Sequence, residues 1–237
     1  MRLLVIVILA STGLAAADRP VDPTFLRHNI ASVAPQDLTP TCHYRPVFPS
    51  GGIVRGVARF GEFALDPAGA CPAETLPAEE QAWVVLDGSC TLRYGGQQLP
   101  LRKSDFFYVP PALSHALSGG PCRAVVMGFK IPAGTRVDPP AKPLIANIDD
   151  VGKQLVGGHP PSTLYQLLMG DTSSKRDRLA AARILTSLFV MTITPGGTNF
   201  PHHHETEEEI YVLLEGEGDM VAGDTRVPSQ ASYAAPE

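Results

Sequence analysis

The chain carries one pattern twice. Glu74-x-Leu76-x4-Gln81-x6-Gly88 in the first half returns as His202-x-His204-x4-Glu209-x6-Gly216 in the second. In each copy an apolar run follows, over residues 82–86 and 210–214, and ends in an acidic residue plus glycine: Asp87-Gly88, then Glu215-Gly216. Further along, each half has an aromatic residue running into proline, at 106–110 and 233–236. Internal self-similarity of this kind means one supersecondary unit used twice. The fold is thereby confined to two copies of one architecture.

The unit itself is β. Short strand-like runs cover residues 54–65, 82–86, 89–94, 106–109 and 123–131, then 184–194, 210–214 and 218–222. Gly, Pro, Asp or Ser interrupts them at DPAG, LDGS, YGGQ, VPPA and SGGP, which is turn chemistry between strands. The 22 glycines and 23 prolines of this 237-residue chain serve that punctuation. Regular short strands with such turns indicate a sandwich or barrel. Residues 18–51 are proline-punctuated and read as an N-terminal arm, and residues 132–162 as a Pro/Gly-rich linker with one helical turn near 148–155. Residues 175–183 (KRDRLAAAR) read as a helical turn before the next strand. The expected organisation is therefore an arm, a first β-unit over 52–131, a linker, and a second β-unit over 163–237.

The start has a different character. One early arginine, an apolar run over residues 3–10 and small residues ending at Ala15, Ala16 and Ala17 make the three-part layout of an export leader, with cleavage near Ala17. The run is shorter than the ~20 apolar residues of a membrane helix. The expectation is a secreted or periplasmic protein with no membrane span once residues 1–17 are removed. Export permits disulfides. Cys42, Cys71, Cys90 and Cys122 show no C-x-x-C spacing, so they fit one or two bridges in the first half, or four buried thiols. With 19 basic against 24 acidic residues and no Lys/Arg cluster, the charge pattern argues against a nucleic-acid partner.

The chemistry-bearing stretch is PGGTNFPHHHETEEEIYVLLEGEG, residues 195–218. His202 and His204 are two apart, so on a strand both imidazoles share one face while His203 points away. After a short turn Glu209 opens the next strand and can face the same point. Two imidazoles and a carboxylate suit one divalent transition metal (Fe, Mn, Ni, Cu or Zn) with coordination positions left open. The plain alternative is a charged surface loop, since Glu205, Glu207 and Glu208 crowd the same stretch. Tyr211 and Phe200 read equally as pocket lining or core aromatics. His28, His43 and His159 lie in irregular stretches and carry no assigned role.

The spacing Gly196-x5-His202-x-His204-x4-Glu209-x6-Gly216 resembles the first signature motif of the cupin superfamily, Gly-x5-His-x-His-x3–4-Glu-x6-Gly. That family's second motif, Gly-x5-Pro-x-Gly-x2-His-x3-Asn, is traceable in the first half as Ser104-x5-Pro110-x-Ala112-x2-His115-x3-Gly119. It keeps Pro and His but loses both glycines and the Asn. The first half's own first motif has Glu74, Leu76 and Gln81 where ligands would stand. The resemblance implies an all-β chain of two antiparallel jelly-roll barrels. The first is degenerate in metal binding, with His115 an interior histidine, and the second binds metal through His202, His204 and Glu209. It also implies a Cys71–Cys122 bridge, because the strand entering the first motif pairs with the last strand of the barrel. Cys42 and Cys90 stay unassigned.

Measured against the first half, the stretch after Glu209 is about two strands short and lacks a counterpart of the second-motif histidine. The second barrel is therefore expected to be incomplete at its C-terminus. Its open edges would belong to a fragment or be closed by another chain, a route to homo-oligomers. Functionally the resemblance implies a metal-dependent enzyme acting on a small organic molecule, with an oxygenase placed first and an isomerase or hydrolase behind it. The competing reading is a non-catalytic ligand-binding or sensor protein with a structural metal or none.

Overall fold

The computed structural model describes residues 3–11, 28–48, 56–135, 137–138, 140–222, 225–230 and 233–236. Among them the chain is all-β, and helical geometry is confined to single 3-10 turns at Ile30–Ser32 and Ile148–Asp150. The second of these is the helical turn expected there. Residues 175–183 form no helix. Asp171 and Asp177 take up the Ser173 and Ser174 side chains in a turn, and Leu179–Ala182 then runs as a strand parallel to Thr163–Asp171.

Nineteen strands lie among the described residues. In the first half these are β2 (His28–Asn29), β3 (Gln36–Thr39), β4 (Cys42–Phe48), β5 (Val57–Leu65), β6 (Gly69–Ala70), β7 (Glu79–Tyr94), β8 (Gln97–Arg102), β9 (Asp105–Val109), β10 (His115–Gly119), β11 (Cys122–Lys130) and β12 (Leu144–Asn147). In the second half they are β13 (Thr163–Asp171), β14 (Leu179–Ala182), β15 (Leu185–Ile193), β16 (Glu207–Glu215), β17 (Glu217–Ala222), β18 (Thr225–Gln230) and β19 (Tyr233–Pro236). Leu3–Ser11 is β1. The main sheet of the first half runs β12-β9-β7-β11-β5-β4-β3, and that of the second runs β14-β13-β15-β1-β16-β19-β2.

Sequence patterns explain the layering. Ala124 and Val126 of β11 face the interior of the first unit, with Phe63, Trp83, Val85, Leu92 and Phe107. Val125, Met127 and Phe129 of the same strand face the other way, into a core between the two main sheets that also holds Leu188, Val190, Ile210 and Val212. Buried on both faces, such strands read as continuous apolar runs rather than alternating ones. The second unit has its own interior, lined by Tyr165, Leu167, Phe189, Met191 and Leu213.

Several expectations need correction. Residues 82–86 and 89–94 are not two strands but one, β7, which bends at Gly88 and passes from the main sheet to pair with β8 and β10. Gly88 has φ +74, and a Cβ there would lie 2.1 Å from the Pro121 carbonyl, so the bend requires glycine. The arm is not irregular throughout, since β3 and β4 extend the first sheet and β2 pairs with β19 of the second. The linker supplies β12, which pairs with β9.

The N-terminal run also takes a place in the fold. The run read as a leader is a central strand of the second sheet, antiparallel to β15 on one side and β16 on the other. Val5, Ile6, Val7 and Ile8 are all buried. β1 thereby pairs one edge each of β15 and β16, while the sheet still ends at β14 and β2. The cleavage position near Ala17 lies outside the described residues.

The disulfide is Cys42–Cys71, Cα–Cα 5.1 Å, and not Cys71–Cys122. Strand β5 has two neighbours, and Leu65 faces Cys42 on one side and Cys122 on the other. After β5 the chain folds back over β4. Asp66 N–H donates to the Thr41 carbonyl and Thr39 Oγ1 to the Ala70 carbonyl, which carries Cys71 to Cys42. Cys90 and Cys122 remain buried thiols. Denatured, unreduced protein is expected to titrate as two thiols, and four would overturn the pairing. Cys42→Ser/Cys71→Ser should lower unfolding stability by about 3–4 kcal/mol in urea, from the entropy of a loop of roughly 30 residues.

Candidate metal centre

The predicted ligands converge, though not by the route the spacing suggested. Residues 201–204 belong to no strand, and β16 begins only at Glu207. The histidines are carried by an extended loop whose base is pinned to β13. Ser162 Oγ and Thr163 Oγ1 both donate to the Thr198 carbonyl, at 3.2 and 3.0 Å. Extended backbone still alternates its side chains, so His202 and His204 turn inward together. His203 turns out, 83% exposed, with Nε2 3.0 Å from Glu205 Oε1.

Glu209, the third residue of β16, forms the floor with its side chain 4% exposed. Its Oε2 lies 3.6 Å from His204 Nε2 and 4.0 Å from His202 Nε2. One donor atom from each of the three residues falls within 4.8 Å of the others. Metal bonds of ~2.0–2.2 Å place neighbouring ligand atoms about 3–4 Å apart, so the set fits a divalent ion. His202 Nδ1 lies 2.8 Å from the Phe200 carbonyl, which can only accept. Nδ1 therefore carries the proton and Nε2 presents its lone pair to the centre, the usual arrangement behind a ligating histidine. Tyr211 donates its hydroxyl to Glu209 Oε2 at 2.9 Å, which orients the carboxylate. Tyr211 is thus a site residue. Phe200 is neither pocket lining nor core, since the residue is 52% exposed and its carbonyl is what meets the site.

Two neighbours carried no role in the sequence reading. The His159 ring meets His202 edge-on at 5.8 Å and Tyr165 at 4.9 Å, with Nδ1 3.0 Å from Asn199 Oδ1. Tyr165, on β13, is buried and its hydroxyl has no hydrogen-bond partner. Burial, with the Glu209 charge nearby, pushes this phenol up to about 12. A sequence signal for Tyr165 did exist, because it alternates with Leu167 toward the second interior. The other histidines lie apart: His28 rests against Phe48, and His43 pairs with Asp37 and Asp66.

The first half shows what replaces a metal. Glu74 sits opposite His115 across a backbone bridge, where two ligands would meet. Arg59 Nη1 lies 3.1 Å from both Glu74 oxygens, and its Nε 2.9 Å from Glu79 Oε1. Gln81 donates to Glu79 at 2.8 Å, and Trp83 Nε1–H donates to Gln81 at 2.8 Å. A guanidinium thus supplies the positive charge between two carboxylates, and Leu76 offers no ligand. Gly128 makes room for it, since a Cβ there would fall 2.2 Å from Glu79 Oε1 and 2.8 Å from Arg59 Cγ. Burial pushes the His115 imidazole below its ordinary pKa, so it stays neutral inside the barrel. It is an interior histidine, as expected.

Two stacked β-units of this topology, one with a His/His/Glu centre and one with its centre occupied by an ion-pair network, define a two-barrel cupin fold. Residues 61–128 match the family model described as a cupin domain, so the chain carries a cupin domain in its first half. That match falls on the unit that has lost its ligands. No curated protein matches the sequence. Among solved structures, a Pseudomonas aeruginosa protein described as glyoxylate-induced is similar over 92% of this chain and 84% of its own, with TM-score 0.70 and 17% identity. Oxalate decarboxylase of Lactobacillus farciminis, solved with formate, is similar over 92% and 80%, with TM-score 0.66 and 11% identity. Protein Ylba of E. coli follows over 90% and 82%, with TM-score 0.60 and 11% identity. At these identities the likeness is one of fold. Among the described residues, no helix is long and apolar enough to cross a membrane.

Proposed function

We propose that the second barrel holds one divalent transition metal on His202, His204 and Glu209, and that the protein is a metal-dependent enzyme acting on a small organic molecule. An oxygenase stands first among the reaction classes. The observation that carries this reading is the asymmetry of the centre. The carboxylate floor is buried while His202 and His204 are 31% and 29% exposed, so the side away from Glu209 is open to a ligand. A metal bound there supplies a Lewis acid able to hold a chelating substrate and O₂ together. Tyr211 fixes the Glu209 carboxylate, and Tyr165 backs the centre through the His159 ring that meets His202. Phenolic and dicarbonyl compounds are the first substrates to test, and the oxalate decarboxylase neighbour adds small dicarboxylates to that panel.

The alternative is a binding protein. The ion-pair network of the first half supports it, because this fold persists there without a metal. Metal content of the purified protein comes first, followed by loading with Fe(II), Mn(II), Ni(II), Cu(II) or Zn(II) and recording oxygen uptake and product formation against the substrate panel. Turnover with stoichiometric metal supports the enzyme. Stoichiometric metal with no turnover favours the binding protein, and failure to bind any of the five ions sinks both metal readings. The leader-like start supports an exported location as a further proposal, which the N-terminal mass of the native protein tests. A chain starting near Asp18 supports export, and one retaining residues 3–11 removes its basis.

A further inference from the structure

We infer that Leu3–Ser11 takes, residue for residue, the position in the second unit that β11 holds in the first, and that it forms one wall of the candidate metal centre. The argument is register. In the first half, β11 lies between β5 and β7, and in the second half β1 lies between β15 and β16. Gly128 of β11 faces Arg59 on one side and Gln81 on the other. Leu9 of β1 faces Ser187 and Glu209. The sequence repeat already equates Gln81 with Glu209.

The irregularities coincide as well. Against β7 the register of β11 slips between Arg123 and Ala124, and against β16 that of β1 slips between Leu4 and Val5. Against β5 the slip falls between Gly128 and Phe129, and against β15 between Leu9 and Ala10. Each pair of slips falls at the same step counted from Gly128 and from Leu9. A bulge is a specified feature of a strand pair, and two shared bulges mean that one slot is built the same way twice.

The occupant suits the slot on both faces. Val5 and Val7 enter the second interior, with Leu9 packed beside them. Ile6, Ile8 and Ala10 enter the core between the sheets. A one-residue slip would exchange the two faces and set Leu9 away from Glu209. Where the first half pairs a large Arg59 with Gly128, the second pairs a small Ser187 with Leu9, so Leu9 fills space beside the carboxylate floor. The same apolar run reads as an export leader, so this role belongs to the chain that retains residues 3–11.

The test uses the full chain. In Leu9→Cys/Ser187→Cys the facing pair should oxidise to a cross-link, located by peptide mass. Absence of that cross-link overturns the inference. In Val5→Asp/Val7→Asp, amides of Leu185–Ile193 and Glu207–Glu215 should lose hydrogen-exchange protection while those of β5, β7 and β11 keep theirs. Zn(II) affinity should fall roughly tenfold or more, as when a site loses its supporting shell. Adding a peptide of residues 3–11 with a polar solubilising tail should restore both. Retained protection in the charged variant, or no rescue by the peptide, overturns this placement. The metal-wall clause rests on the proposed function, whereas cross-link and exchange need no metal. If neither chain binds Zn(II) while the exchange result holds, only the metal reading fails.

Discussion

His202→Ala and His204→Ala are each expected to reduce divalent metal affinity by more than the ~10–100-fold that follows loss of an outer-shell partner, while His203→Ala leaves it unchanged. The difference comes from backbone alternation. The three histidines are consecutive, but Nε2 of His202 and His204 lies 4.0 and 3.6 Å from Glu209 Oε2, whereas His203 faces Glu205 in solvent. Glu209→Gln should rank with the two ligand changes, because it removes the compensating charge and returns an amide to Tyr211. Calorimetric titration with Zn(II) or Mn(II) on each folded variant decides the matter. Equal losses across the three histidines would mean that the loop is not held as described, and no loss in any would remove the centre.

The second large effect is expected far from any metal. Glu80, on β7, is 0% exposed, and its carboxylate joins the two barrels. It accepts the N–H groups of Arg183, Ile184 and Leu185 at 2.7–3.2 Å and the Tyr108 hydroxyl at 2.9 Å. Three successive N–H groups converging on one anion make a backbone nest. The repeat supplies the mirror contact, since Glu208 of β16 accepts the Gly56 N–H at 2.8 Å. Glu80→Ala leaves several buried donors without an acceptor, at ~1–3 kcal/mol for each group left unsatisfied. A loss of about 3 kcal/mol or more in urea unfolding is expected, with a smaller loss for Glu80→Gln, whose carbonyl still accepts. A Glu80→Ala change within about 0.5 kcal/mol of the parent would show that the nest finds water instead.

The parts of this protein legible in its sequence are those set by short-range geometry. Spacing within a few residues determines which side chains share a face, so His202, His204 and Glu209 were readable as a set, and His203 as the one excluded. The repeat was readable for the same reason, because each copy carries its own turn glycine at Gly88 and Gly216, both with positive φ. The degeneracy of the first centre followed from Leu76 alone, but its filling did not. Arg59 lies on a different strand, and nothing near it in sequence announces that its guanidinium bridges Glu74 and Glu79.

What only the tertiary structure decided was long-range partnership. Cys71 pairs with Cys42 because the chain folds back over β4 rather than β11, and either neighbour of β5 was open to it. Glu80 is indistinguishable from the acidic residues beside it until the β14–β15 turn brings three N–H groups to its carboxylate. The N-terminal run shows the limit most sharply. A nine-residue strand whose first eight residues are apolar satisfies an export leader and a strand buried between two cores equally well. Hydrophobicity records that a segment leaves water, not where it goes. In the structure the run lies between β15 and β16, whose backbone N–H and C=O groups it pairs along its length.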